Sequence, residues 1–328
     1  MAHSPSQTPD APASNDTPAV SPDSSVRSRG VLLGALSAVG YSAANLSLRG
    51  LSGRDETLSW AVWVTAMKAL PTVVLSAFLL TRRWQRKEPF YPTRRPIPAL
   101  IIAAFVMQFG GNLGFQIALI HVGLAIAVPL VFAFIICTGA GLGRVFLGDS
   151  VSFRTVLSMG IMTVAIILLS WAATLNATQE TSPHVVAWFG VMMAIISGLS
   201  YGVNGVVIRR VSRDLLPIES MLIIYSTTGL ISLTAIGLVL LGPDRIAAIT
   251  LPEWSMMLAA GICNAFAFFC ITNALKLMNI SQVNVINASQ NAMCAIAAVL
   301  IFGEAISTPL VVGIALSICG LFVLDRKS

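Results

Sequence analysis

Lys68 is the residue of this chain whose chemistry most needs explaining. It stands near the middle of SWAVWVTAMKALPTVVLSAFLL, Ser59 to Leu80, a run that is apolar almost throughout and long enough to cross a bilayer. An ammonium at that depth costs roughly 2.5 to 3.5 kcal/mol on insertion scales, and snorkelling offers little relief so far from either end. The amine can give up its proton, or two arrangements can satisfy the charge. Backbone carbonyls can take its protons, including one released by Pro71, or the ammonium can face a cavity and meet a substrate carboxylate or phosphate. No acidic residue shares its depth in any apolar run, and Glu219, at the mouth of another run, is the nearest rival counter-ion.

Amides concentrate in two further runs. FVMQFGGNLGFQIALI places Gln108, Asn112 and Gln116 at i, i+4 and i+8, one stripe of a helix. Gly110, Gly111 and Gly114 thin that surface, so either another helix closes in or room remains for a ligand. NISQVNVINASQNAMCAIAAVLIFGE carries Asn284, Asn287 and Asn291 at i, i+3 and i+7, with Gln290 alongside and small alanines between. Facing lipid, each unpaired amide would cost several kcal/mol, so these groups face protein or water. A ladder of interhelical hydrogen bonds, worth ~0.6 to 2 kcal/mol per contact, is one reading; the polar wall of a transport path is the other. Tyr41 with Asn45, and Tyr201 with Asn204, form a second, matched set of deep polar residues. Asn264 joins them as a candidate on the opposite wall from Gln108.

The elements that position these residues follow from composition. The chain is 56% hydrophobic and 10% charged, and its apolar residues fall into runs of about 20, the length that spans ~30 Å of hydrocarbon. Ten spans are expected, near 30–48, 58–80, 97–119, 123–143, 153–173, 186–208, 218–241, 254–275, 280–302 and 307–324. None shows the sustained alternation of a barrel strand, and a helix satisfies its own backbone in lipid, so the expected class is an all-α membrane protein. Residues 1–26 are rich in Pro, Ser and Ala, cannot build a core, and are expected to be a disordered cytoplasmic tail; no cleavable signal pattern is read there. The five cysteines, dispersed through the apolar runs, read as packing residues. Pro129, inside the fourth run, is expected to bend or loosen its helix.

Charge sets the expected orientation. With the N-terminus inside, the inner tails and loops collect Arg27, Arg29, Arg82, Arg83, Arg86, Lys87, Arg94, Arg95, Arg144, Arg154, Arg209, Arg210, Arg213, Lys276, Arg326 and Lys327. Only Arg49, Arg54 and Arg245 fall outside. The asymmetry puts both termini in the cytoplasm of a protein expected in the cell inner membrane, and all six tryptophans fall near span ends, where headgroups favour them. The positive net charge is therefore a topology signal and implies no nucleic-acid partner.

The halves of the chain resemble each other. GVLLGALSAVGYSAANLSLR, Gly30 to Arg49, lies without gaps on GVMMAIISGLSYGVNGVVIR, Gly190 to Arg209, matching Gly30, Val31, Ser37, Tyr41 and Arg49 to their counterparts. FLGDSVS, Phe146 to Ser152, parallels IFGEAIS, Ile301 to Ser307. Five spans per half would make the second copy enter from the opposite face, an inverted repeat able to support alternating access. Ten spans, two five-helix halves and the turns at Gly148-Asp149 and Gly303-Glu304 resemble the EamA-like branch of the drug/metabolite transporter superfamily over about residues 30–325. The resemblance implies repeats at 27–177 and 178–328. It further implies a central cavity formed chiefly by the first, third, fourth, sixth, eighth and ninth helices, and carriage of small metabolites, often amino acids outward. Asp149, where Glu is usual, and the amide-rich ninth span are departures. Asp149 and Glu304 are expected to cap the helices that follow them.

The expected function is a secondary transporter that exports small metabolites such as amino acids or other carboxylate-bearing compounds. An exporter of drugs or quaternary amines, and a passive solute channel, stay open as alternatives. With no midplane Asp or Glu there is little to attract a cation or relay a proton. His3, His121 and His184 are separated and join no Cys/His/Asp/Glu cluster, so no enzyme, metal site or cofactor is expected. The expected partners are a small-molecule metabolite and membrane lipid; the Gly- and Ala-rich faces leave self-association open.

Overall fold

The computed structural model of the chain describes residues 24–52, 57–149, 151–176, 184–302 and 306–325 of the 328. Its regular elements, among the described residues, are all helices, as hydrocarbon requires of a backbone that has no water to bond. We number the long helices α1 (Ser24–Ser52), α2 (Leu58–Gln85), α3 (Ile97–Gly123), α4 (Ala127–Leu147), α5 (Phe153–Asn176), α6 (His184–Asp214), α7 (Ile218–Leu241), α8 (Leu251–Leu277), α9 (Ile280–Ile301) and α10 (Thr308–Asp325). Eight of them are long and apolar enough to cross a membrane. In α5 and α10 the apolar stretches within the described residues are Phe153–Leu169 and Thr308–Val323, at the places of the fifth and tenth expected spans. Since α1 starts at Ser24, residues 24–26 are helix; the rest of the expected tail, and Gly303 and Glu304 of the second acidic turn, lie outside the described residues.

Local chemistry sets the helix ends. Thr57 caps α2 by accepting the Trp60 N–H, and the Glu253 carboxylate takes the Thr250 N–H at 2.7 Å at the head of α8. Helix α4 stops at Gly148, whose φ of 65° is the left-handed conformation that glycine adopts without penalty. At the head of α5 it is Ser152, accepting the Thr155 N–H at 3.2 Å, that fills the capping role expected of Asp149. Gly123, with φ 70° and ψ 172°, separates α3 from α4. Pro129 does not break α4, since Gly123 is the residue there with non-helical angles.

The tryptophans divide into two groups. Trp84, Trp171 and Trp188 are exposed as a membrane-interface ring should be, but Trp60 and Trp63 are buried. Trp60 donates its indole N–H to the Leu51 carbonyl at 3.2 Å, closing the last turn of α1; it serves that turn and not the headgroup layer.

Small residues let the helices approach. Helix α1 lies on α8 where Gly40 meets Ala267 and Cys263, and α6 lies on α3 where Gly110 and Gly111 meet Ser200 and Tyr201. The glycines of the third span therefore admit a neighbouring helix. Gly261 brings α8 against the middle of α2: a Cβ there would stand 2.7 Å from Pro71 Cγ and 3.0 Å from the Lys68 carbonyl oxygen, a backbone atom that cannot swing aside. Gly261→Ala is expected to lower stability by about 1 to 3 kcal/mol, the usual cost of overpacking. A melting temperature of the detergent-solubilised variant equal to the parent's would show that α8 shifts freely.

Candidate functional site

Seven helices, α1, α2, α3, α4, α6, α8 and α9, line a central cavity of about 120 Å³. The resemblance had implied six; α2 joins them because it carries Lys68. Tyr41, Asn45, Lys68, Asn112, Tyr201, Asn204, Asn264, Asn284 and Asn287 all line it, with Gln290 beside them. Apolar walls come from Met107, Phe115, Phe132, Phe268 and their aliphatic neighbours. Of the described residues that line it, Lys68 alone carries a full charge.

Helix α3 holds Lys68 in place. The Lys68 Nζ donates to Asn112 Oδ1 at 3.1 Å, and the Tyr201 hydroxyl donates to the same oxygen at 2.8 Å. The carbonyl freed by Pro71 is not its partner, nor is Glu219, which pairs with Arg83 at 3.8 Å. Behind Asn112 the network runs inward. Asn112 Nδ2 donates to Gln108 Oε1 at 2.9 Å, Gln108 Nε2 to the Tyr225 carbonyl at 2.8 Å, and the Tyr225 hydroxyl to Asn204 Oδ1 at 2.9 Å. Asn112 is thus fixed by its amide nitrogen and offers its oxygen to Lys68. One ammonium proton is used; the group has three to give.

A second polar wall faces the first. Asn45 Nδ2 donates to Gln290 Oε1 at 3.1 Å, the Ser37 hydroxyl to Asn287 Oδ1 at 3.0 Å, and Asn284 Nδ2 to the Ile135 carbonyl at 3.2 Å. Here the two sequence readings of the amides coexist. Each bond joins two helices, and each of these amides also lines the cavity.

Three of the expected residues stand elsewhere. Gln108 lies behind the wall, lining a smaller adjoining pocket with Lys68, Asn112 and Asn264. Gln116 is buried away from the cavity with its Nε2 unpartnered. The cause is local: Val106–Leu113 winds as a π-helix, whose wider turn takes up an extra residue and rotates everything after it. Gln108 and Asn112 stay in contact, while Gln116 leaves the stripe that a regular helix would have kept. Asn291 is buried and donates to the Ala288 carbonyl at 2.8 Å, outside the cavity lining.

Two groups escaped the sequence reading. Tyr225, fully buried in α7, links Gln108 to Asn204, and a lone tyrosine deep in an apolar run was its only signal. Arg209, counted as an inner-loop charge, is 3% exposed and ion-paired to Asp149 at 2.9 Å. The matched positions of Arg49 and Arg209 and the acidic turn at Asp149 were both visible; that the two features meet was not.

The comparisons agree with this architecture. Residues 188–325 match the EamA-like transporter family. The match lies in the second half of the chain, which is similar to that family over those residues. That family is one of transporters and not of enzymes, and the chain is a multi-pass helical membrane protein. A protein of known crystal structure shares the fold, with a TM-score of 0.71 at 17% identity over 91% of this chain and 97% of that one. No curated protein matches the chain.

Proposed function

We propose that this EamA-like protein is a secondary transporter that exports small carboxylate-bearing metabolites, amino acids among them, by alternating access around the central cavity. The observation that carries the reading is the charge of the cavity lining, which among the described residues is one ammonium and no carboxylate. A substrate carboxylate beside Lys68 replaces a lone buried charge with a hydrogen-bonded pair. The loaded site then meets a smaller electrostatic penalty in the low-dielectric interior than the empty one does. The aromatic and aliphatic walls suit the rest of such a molecule. A cationic drug would meet repulsion and no counter-charge.

Helix pairing supports an inverted repeat of two five-helix halves, 27–177 and 178–328. Under that symmetry α1 corresponds to α6 and α3 to α8, so the α1–α8 and α6–α3 contacts are counterparts, and both pairs are closely packed. Gly30 sits against Met278, just past α8, and its counterpart Gly190 sits against Val122, at the end of α3. With the charge bias of the loops, we place both termini in the cytoplasm and the protein in the cell inner membrane.

The test is uptake into liposomes holding the purified protein, using amino acids, organic acids, nucleosides and quaternary amines, with and without a proton gradient. Saturable flux of carboxylate-bearing compounds is expected. Saturable flux of quaternary amines alone would replace this reading with drug export, and flux that never saturates would make the protein a channel.

A further inference from the structure

One buried charge pair takes no part in lining the cavity. Arg209, near the end of α6, places Nη2 2.9 Å from Asp149 Oδ1 and 2.7 Å from Asn279 Oδ1, and Nη1 3.0 Å from the Leu275 carbonyl. The other Asp149 oxygen faces the Ile280 N–H at 3.4 Å, at the head of α9. The cluster thus ties four places together: the turn after α4, the end of α6, the end of α8 and the start of α9. Asp149 comes from the first half of the chain, and the partners of its carboxylate, Arg209 and Ile280, from the second.

Its position gives it a role. Ile208 and Leu275 line the cavity, and Arg209 directly follows the one and bonds to the carbonyl of the other. The cluster therefore lies beside the cavity at the end of the bundle where Gly30 of α1 meets Met278. We infer that the Arg209–Asp149 pair is an ionic latch that holds this end of the cavity shut, and that its separation opens the cavity to the cytoplasm. The inference rests on the alternating-access reading, which requires that one end be closed by contacts able to part. The pair suits that task better than apolar packing would. Arg209 Nε has no partner, so the closed state leaves one donor unmet that water can satisfy on opening. The contacts are few and directional, so they break together.

Accessibility tests this without any substrate. Ile208→Cys marks the latched end and Leu48→Cys a lining position on α1, toward the opposite end. Each would be reacted, in membrane vesicles of known sidedness, with a small membrane-impermeant methanethiosulfonate, the parent chain correcting for its own five cysteines. Asp149→Asn is expected to speed labelling of Ile208→Cys from the cytoplasmic side by about 5- to 150-fold, the span of ordinary conformational coupling. Labelling of Leu48→Cys from the other side should fall or hold. Asp149→Glu, which keeps the charge, should return Ile208→Cys toward the parent rate.

Unchanged labelling in folded Asp149→Asn would overturn the latch, and so would an equal rise at both positions, which marks general loosening. If Asp149→Asn fails to fold, Asn279→Ala decides the matter, because it removes one neutral acceptor and keeps both charges. A rise of about fivefold at Ile208→Cys supports the latch, and no rise refutes it. A protein that carries no carboxylate would sink the function proposed above and leave these rates standing. Parent-like labelling with carboxylate flux intact would sink the latch alone.

Discussion

Lys68→Met is expected to weaken transport of carboxylate-bearing substrates by about ten- to a hundredfold in apparent affinity while leaving the yield of folded protein unchanged or higher. A hydrogen bond to a charged group is worth about 1.5 to 3 kcal/mol, and that difference sets the fold-change. Folding should not suffer, for two reasons. Removing the ammonium relieves the roughly 2.5 to 3.5 kcal/mol cost of a charge at that depth, and methionine keeps most of the stem volume. Nor is an acceptor orphaned, because Asn112 Oδ1 still receives the Tyr201 hydroxyl. Lys68→Arg tests whether charge alone suffices, since a planar fork needs more room and different partners than a compact ammonium. The measurement is concentration-dependent uptake into liposomes, normalised to folded protein. Unchanged affinity and maximal flux in Lys68→Met would return Lys68 to a purely structural role on Asn112.

Asn112→Leu should do more damage, and to folding as well as to flux. The same side chain accepts from Lys68 and Tyr201 and donates to Gln108, so leucine leaves two buried polar groups and one half-buried hydroxyl without this partner at once. An unmet buried group costs about 1 to 3 kcal/mol and a charged one more, so a loss of at least 3 kcal/mol is expected. Read from the sequence purely as a wall residue, Asn112 would lose flux at normal yield when replaced. The hydrogen bonds make it a support. Adding Lys68→Met to Asn112→Leu removes the stranded ammonium and should recover part of the stability. A double-mutant cycle on thermal unfolding in detergent should show coupling of about 1 to 3 kcal/mol. Additive losses would mean that the Lys68–Asn112 bond contributes nothing.

Apolar run length was enough to determine that this chain is a helical membrane protein, because hydrocarbon leaves the backbone few alternatives. The same argument located Lys68 and the amides as groups in need of partners. It went as far as the stripe Gln108, Asn112, Gln116, and there it failed, because periodicity assumes one helix geometry and the π-helical turn at Val106–Leu113 is another. Tryptophan placement failed similarly: nearness to a span end reads as a headgroup anchor for Trp60 and Trp188 alike, yet only Trp188 faces outward.

Partner choice was left to the tertiary structure. From the sequence, Lys68 had a backbone carbonyl or Glu219 in view, and Asp149 had a helix to cap. Packing gave Lys68 the oxygen of Asn112, on another helix, and gave Asp149 the guanidinium of Arg209. Burial penalties act on one residue at a time and can be read from its place in a run, so the sequence shows which groups must be satisfied. Hydrogen bonds and ion pairs depend on distances of about 3 Å between residues far apart in the chain. Those distances exist only once the helices have packed.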